Sequence, residues 1–214
     1  MKNIKDLPNK IPIFPLSNFI IFPDTTVPLN IFEPRYIQMI DDSMRGNRMI
    51  GIVQPKKSGN FKKPDLYEVG CIGKITSFNE TEDGRYLIVL NGINRFKILE
   101  EIDSSKLYRQ YKVSFEQFSK DINNISEEVK FTDLKLIFKN FKTFFQKQGY
   151  LINWKDLEKQ SLDKIINTLS MASPFSLEEK QILLETINLE ARKEKLEEIL
   201  KIYILDSFSN TTIQ

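Results

Sequence analysis

Residues Ile11–Met39 read IPIFPLSNFIIFPDTTVPLNIFEPRYIQM, and the reading of this stretch decides the fold of the first half of the chain. It holds five prolines and four phenylalanines in 29 residues. Proline has no N–H to give to a ladder, so Ile11–Leu16 and Thr26–Asn30 predict strands that lie at edges or bends. The run Phe19-Ile20-Ile21-Phe22 reads as core strand; exposed, it would make Phe19 and Ile21 contacts for apolar peptide. Glu33-Pro34 opens a helix, because proline suits the first helical position, and Tyr36, Ile37, Ile40 and Met44 follow at helical spacing. Gly46 closes it.

Outward from this stretch, short apolar segments continue between Gly, Asn, Asp and Pro. Strands are predicted at Met49–Val53 and at Tyr67–Phe78, where Gly70 and Gly73 suggest a bend or bulge. Asp83-Gly84 signals a hairpin turn into Arg85–Leu90. Asn91-Gly92 reads as a second break before a strand at Ile93–Leu99, and a last strand is expected at Tyr111–Phe118. Roughly five to seven short strands with Gly and Pro corners predict a small curled barrel with one helix. Between them, Lys56-Lys57-Ser58-Gly59-Asn60-Phe61-Lys62-Lys63 reads as a solvated basic loop. Its alternative reading is a nucleic-acid grip, and its one aromatic, Phe61, is a further candidate peptide contact.

Past residue 120 the period changes. Phe131, Leu134, Ile137, Phe138, Phe141, Phe144 and Phe145 form one helical stripe with Gly149 beyond it. Leu162, Ile165, Ile166 and Leu169 make a shorter helix before Pro174. Ser176 and Glu179 form a capping box for a helix running to about Ile187. Asn188 then caps a last helix, with Leu196, Ile199, Leu200 and Tyr203 inward and Glu197–Lys201 paired outside. The expected fold class is α+β: a β-barrel over 1–120, then an antiparallel helical bundle over 121–214, with the boundary in Ser119–Glu128.

Bulk properties narrow the chemistry. With 31 basic and 29 acidic residues the formal charge is +2, which offers no electrostatic case for nucleic acid or acidic membranes. There is no histidine, which excludes a Ser-His-Asp triad, an H-E-x-x-H zinc site and a Cys-His dyad. No Walker A motif occurs. One Ser-x-x-K pair, Ser161 and Lys164, lacks the companion motifs of a serine acyl-enzyme and reads as helix surface. The single cysteine, Cys71, forms no intramolecular disulfide and reads as a small buried hydrophobe. No apolar leader or membrane span is read in the sequence, so the expected location is the cytoplasm.

Several separated segments carry a resemblance: Ile13-Phe14-Pro15-Leu16, Phe22-Pro23, Pro28-Leu29 and Ile31-Phe32-Glu33-Pro34-Arg35-Tyr36; then Val69-Gly70, Asp83-Gly84-Arg85-Tyr86 and Gly92-Ile93-Asn94-Arg95-Phe96; then Gln181-Ile182-Leu183-Leu184-Glu185 and Arg192. In this order they resemble the Lon N-terminal domain family over about Asn9 to Asp206. Asp24 departs from the pattern, standing where the family commonly has glycine; Asn30 sits at a variable position. The resemblance implies a PUA-like pseudo-barrel followed by a helical bundle. It also implies recognition of peptide or protein, with unfolded or hydrophobic protein segments the expected ligand; the missing motifs lead to the expectation of no ATPase, no peptidase, and no cofactor or metal. A groove between barrel and bundle is the expected contact. An adaptor for proteolysis, meeting a protease, or a holdase would suit such a chain; oligomeric state is left open. The corner residues Phe32, Glu33, Pro34, Arg35 and Tyr36, with Arg95 and Phe96, are expected to be structural, with Arg35 or Arg95 paired to Glu33. The competing functions are a PUA-like RNA-binding protein and a hydrolase with an unrecognised site.

Overall fold

The computed structural model describes residues 4–60, 63–122 and 131–209. The chain divides into two compact units, Met1–Asn124 and Ile125–Gln214.

The first unit is built on eight strands: β1 (Lys10–Pro15), β2 (Thr26–Ile31), β3 (Met49–Val53), β4 (Pro55–Asn60), β5 (Lys63–Leu66), β6 (Val69–Glu80), β7 (Tyr86–Ile102) and β8 (Arg109–Ser114). One helix, α1 (Pro34–Arg45), lies between β2 and β3. The main sheet runs β2-β7-β6-β3-β1-β8, and β7 also pairs with β8. That extra pairing closes β1, β3, β6, β7 and β8 into a ring and leaves β2 outside it, paired among the described residues with β7 alone. Among the described residues only β1 and β3 pair in parallel, and the chain between them, β2 and then α1, makes the crossover.

The 17-residue β7 explains how a short chain closes a barrel. Its first half pairs with β2 on one side and β6 on the other, and its last residues, from Lys97 to Ile102, pair with β8. The break expected at Asn91-Gly92 is therefore absent, and the strand runs through. Gly92 is there for close approach. Its N–H donates to the Thr25 carbonyl at 2.8 Å and its carbonyl accepts from the Asp24 N–H at 3.0 Å. A Cβ at this position would stand 2.1 Å from the Phe22 carbonyl oxygen. The opposing bend, Phe22 to Thr25, is fastened by the Thr25 hydroxyl, which donates to the Phe22 carbonyl at 2.6 Å and accepts from the Phe22 N–H at 3.1 Å. Asp24 sits there at φ +59°, a left-handed conformation that glycine enters without steric cost and that aspartate tolerates.

Leu7, Ile11, Ile13, Val53, Ile72, Ile93, Phe96, Tyr111, Val113 and Phe115 fill the barrel. Phe96 is fully buried at its centre, and glycines make room for it: a Cβ on Gly51 or Gly70 would come within 2.9 and 2.8 Å of its ring. The ladder between β6 and β7 slips at Ile72/Gly73 and again between Ile75 and Ser77, the bulges that curl the sheet. Cys71 is buried in β6. The final strand is shorter than expected: β8 stops at Ser114 and a 3-10 turn, Glu116–Asp121, follows. The basic loop is structured on both flanks as the β4–β5 hairpin. Phe61 and Lys62, at its tip, lie outside the described residues.

The second unit is helical: α2 (Phe131–Lys147), α3 (Trp154–Leu157), α4 (Leu162–Ala172), α5 (Leu177–Glu185) and α6 (Leu189–Ser209). Ile137, Phe141, Phe144 and Phe145 carry the expected α2 stripe into its core; the side chains of Phe131 and Leu134 lie outside the described ones. Phe144 stacks on Phe175 at 5.9 Å and meets the Tyr203 ring at 5.7 Å, which joins α2 to α6. The short α3 is an element that the apolar spacing does not announce. Arg192, fully buried, donates from Nε to the Leu183 carbonyl and from Nη1 to Asn167 Oδ1, tying together α6, α5 and α4.

The capping box is formed. The Ser176 hydroxyl accepts from the Glu179 N–H at 3.2 Å, and the Ser176 N–H donates to Glu179 Oε2 at 2.8 Å. The same carboxylate oxygen accepts from the Tyr203 hydroxyl at 2.7 Å. Ser176→Ala is expected to lower the stability of this unit by about 1 kcal/mol, and Ser176→Gly by only a few tenths, in denaturant unfolding followed by circular dichroism.

Candidate functional site

The Ile31–Tyr36 corner faces two ways. Ile31 and Tyr36 are buried, while Phe32 is 65% exposed. Glu33 precedes α1, and its carboxylate accepts from Arg35 Nη2 at 2.7 Å and Nε at 2.9 Å. The Arg35 guanidinium also lies 4.5 Å from the Tyr36 ring centroid, and that ring packs at 4.4 Å on Phe14. Pro34 takes the first helical position. Further along α1, the Lys106 ammonium donates to Asp42 at 2.8 Å and the Tyr108 hydroxyl to the same oxygen at 2.9 Å. The Lys106 bond holds the Asp42 carboxyl below its ordinary range, and burial, followed by the Asp42 hydrogen bond, pushes the Tyr108 phenol up. These contacts position the helix.

Arg95 is paired with Asp121. This corrects the expected pairing of Arg95 with Glu33, which holds Arg35 instead. Arg95 Nη2 meets Asp121 Oδ1 at 2.7 Å, while its Nε and backbone N–H reach Oδ2 at 2.8 and 3.0 Å. The guanidinium lies 4.2 Å from the Phe118 ring centroid. Side-chain exposure is 2% for Arg95 and 9% for Asp121, so the pair is an interior strut from β7 to the 3-10 turn. The physical reason is placement: Arg95 enters the wall at Cys71, well along β7 from the edge that β2 and the corner occupy.

Of the candidate peptide contacts, Ile21 is core, with 1% of its surface exposed, and Phe19 is half-buried. Both lie in an irregular segment between β1 and β2, which replaces the expected strand. Phe61 lies outside the described residues. In the basic hairpin, Lys63 pairs with Glu101 at 3.2 Å, and Arg109 bridges Glu101 to the Pro64 carbonyl.

Sequence reasoning missed the surface that the sheet builds. Pro28, Leu29, Asn30, Ser77, Asn79, Leu87, Ile88 and Val89 line a shallow groove of about 330 Å³. Register puts it together: Pro28, Val89 and Ser77 stand in one row, and Asn30, Leu87 and Asn79 in the next but one. All six project to one face. Leu87 is 43% exposed there, while Val27, Ile31 and Leu90 on the opposite face are buried. No charged side chain is among the lining residues. A signal was present: Tyr86-Leu87-Ile88-Val89-Leu90 is apolar without alternation, as a strand apolar on both faces must be.

Among the described residues the first unit is thus a five-stranded ring with one strand appended, and the uncharged groove lies on that appended strand and its neighbours. The sequence model of the ATP-dependent protease La (LON) substrate-binding domain matches residues 10–202, and the chain belongs to that family. A Lon protease of Dictyoglomus thermophilum is 23% identical over 205 residues, covering 92% of this chain and 25% of that protein. One of Flavobacterium johnsoniae is 28% identical over 198 residues, covering 89% and 24%. The chain thus spans about a quarter of the length of these curated relatives. Two solved structures share the fold at TM-score 0.63: a Lon N-terminal domain protein from Xanthomonas campestris, 20% identical over 90% of this chain and 97% of that one, and the N-terminal domain of Mycobacterium avium complex Lon protease, 16% identical over 91% and 97%.

Proposed function

We propose that this chain is a non-catalytic, cytoplasmic recognition module that captures unfolded or apolar segments of other proteins, serving proteolysis as an adaptor or protecting clients as a holdase. Membership of the substrate-binding family supports the class of ligand. The uncharged groove on β2, β7 and β6 is the observation that carries the site. Leu87 and Val89 give it an apolar floor, and Asn30, Ser77 and Asn79 give it neutral hydrogen-bonding groups at the margin. Full burial of an apolar side chain is worth about 1.5–3 kcal/mol, and contact with such a floor yields part of that, whereas a charge brought into it would lose solvent without gaining a counter-ion.

Leu87→Asp tests this site, because an exposed position can change without unfolding the barrel. Fluorescence polarisation with a labelled, permanently unfolded client fragment is expected to show at least a tenfold rise in Kd, with the melting temperature little changed. Equal affinity for the variant and the parent would remove the groove as the site.

A further inference from the structure

We infer that the captured segment joins the sheet as an added strand along the free edge of β2. This rests on the proposed capture of client segments and says how they are held. β2 pairs with β7 on one side and has no neighbour on the other among the described residues. The direction of its backbone groups follows from the register. Gly92 N–H donates to the Thr25 carbonyl, and Thr25 opposes Gly92 when the Thr26–Asn91 register is continued by one. Antiparallel pairs alternate, so Val27, Leu29 and Ile31 bond to β7, and Thr26, Pro28 and Asn30 point outward. The other side of β7 agrees: the Val89 carbonyl is turned toward β6, where the Thr76 hydroxyl donates to it at 3.2 Å.

The outward edge therefore offers N–H donors at Thr26 and Asn30 and carbonyls at Thr26, Pro28 and Asn30. These groups repeat every second residue, roughly 6.8 Å apart, which is the repeat of an extended polypeptide. The side chains of Pro28 and Asn30 stand beside this edge and line the groove. A strand added there would place alternate side chains next to them and reach toward Leu87. The neutral lining selects uncharged residues at those positions. Pro28 argues against a second copy of this chain as the occupant. Antiparallel self-pairing centred on Pro28 would set two missing donors opposite each other, the usual way in which an edge strand is kept from pairing with itself.

The test uses the whole chain and a fluorescein-labelled, uncharged nine-residue peptide of Val, Thr, Ala and Leu. Two further peptides carry N-methyl groups on one alternate set of residues or on the other. An added strand turns only one set of N–H groups toward β2, so one methylated peptide should bind at least tenfold more weakly and the other within twofold of the parent. Asn30→Pro removes an outward donor without touching the β7 ladder, and should weaken the parent peptide several-fold relative to Asn30→Ala. If both methylated peptides bind like the parent, or weaken equally, strand addition is overturned while capture by the groove stands. If the unmodified peptide and the client fragment both fail to bind, capture itself is wrong and the inference falls with it.

Discussion

Asp121→Ala is expected to destabilise the first unit by about 3–5 kcal/mol, the range for removing one partner of a buried ion pair. The carboxylate takes hydrogen bonds from two guanidinium nitrogens and one backbone N–H of Arg95, all at 3.0 Å or less. The aliphatic replacement returns none of these bonds, while the arginine charge remains where only 2% of its side chain reaches water. Phe118 offers its ring face to the guanidinium, which offsets a small part of the loss. Arg95→Met with Asp121→Leu should recover much of the stability, because both charges of the buried pair are replaced together by apolar groups of similar volume. Chemical denaturation of the three proteins, fitted for the barrel transition, decides the matter. A loss under about 1 kcal/mol for Asp121→Ala, a value typical of surface ion pairs, would mean the strut bears little weight.

Gly92→Ala is expected to cost about 3 kcal/mol, the upper end of the range for overpacking. At Gly73 the nearest atoms are flexible Leu90 side-chain carbons, whereas Gly70, like Gly92, faces a backbone carbonyl, that of Ile52 at 2.5 Å. At Gly92 the obstacle is a backbone carbonyl at 2.1 Å, belonging to a fully buried phenylalanine whose turn is closed by Thr25. Relief requires the Phe22–Thr25 bend to move away from β7. That movement would break the two backbone hydrogen bonds joining Gly92 to Asp24 and Thr25, at the point where β2 begins. The variant should therefore lose peptide affinity as well as stability, since β2 forms one wall of the groove. Thermal melting with a parallel binding titration reads both. A melting temperature within a degree of the parent would show that the bend yields freely.

Much of the fold was legible because its signals are local. Pro34 at a helix start, the positive φ turn at Gly84, the capping box at Ser176 and the α2 stripe each depend on neighbours within a few residues, and each stands where its pattern places it. Asn91-Gly92 misled for an equally plain reason. The dipeptide is a good turn former, but whether it turns or passes straight depends on what faces it, and that is a bend some 70 positions earlier in the chain. Arg95 misled in the same way: its counter-ion was sought in Glu33 and stands 26 residues on at Asp121, the end of a 3-10 turn, in the stretch read as the boundary between the two halves.

The order of apolar, proline and glycine residues by itself determined that this chain makes a proline-edged barrel followed by helices, because hydrophobic period and backbone permission act over short distances. Only the tertiary structure decided that β2 remains outside the ring, that Pro28, Asn30, Ser77, Asn79, Leu87 and Val89 share one uncharged face, and that Arg95 meets Asp121. The groove is set by strand register between segments far apart in sequence, where a shift of one residue would send a strand's side chains to the opposite face, and the Arg95 pair is set by the 3-10 turn that brings Asp121 to β7.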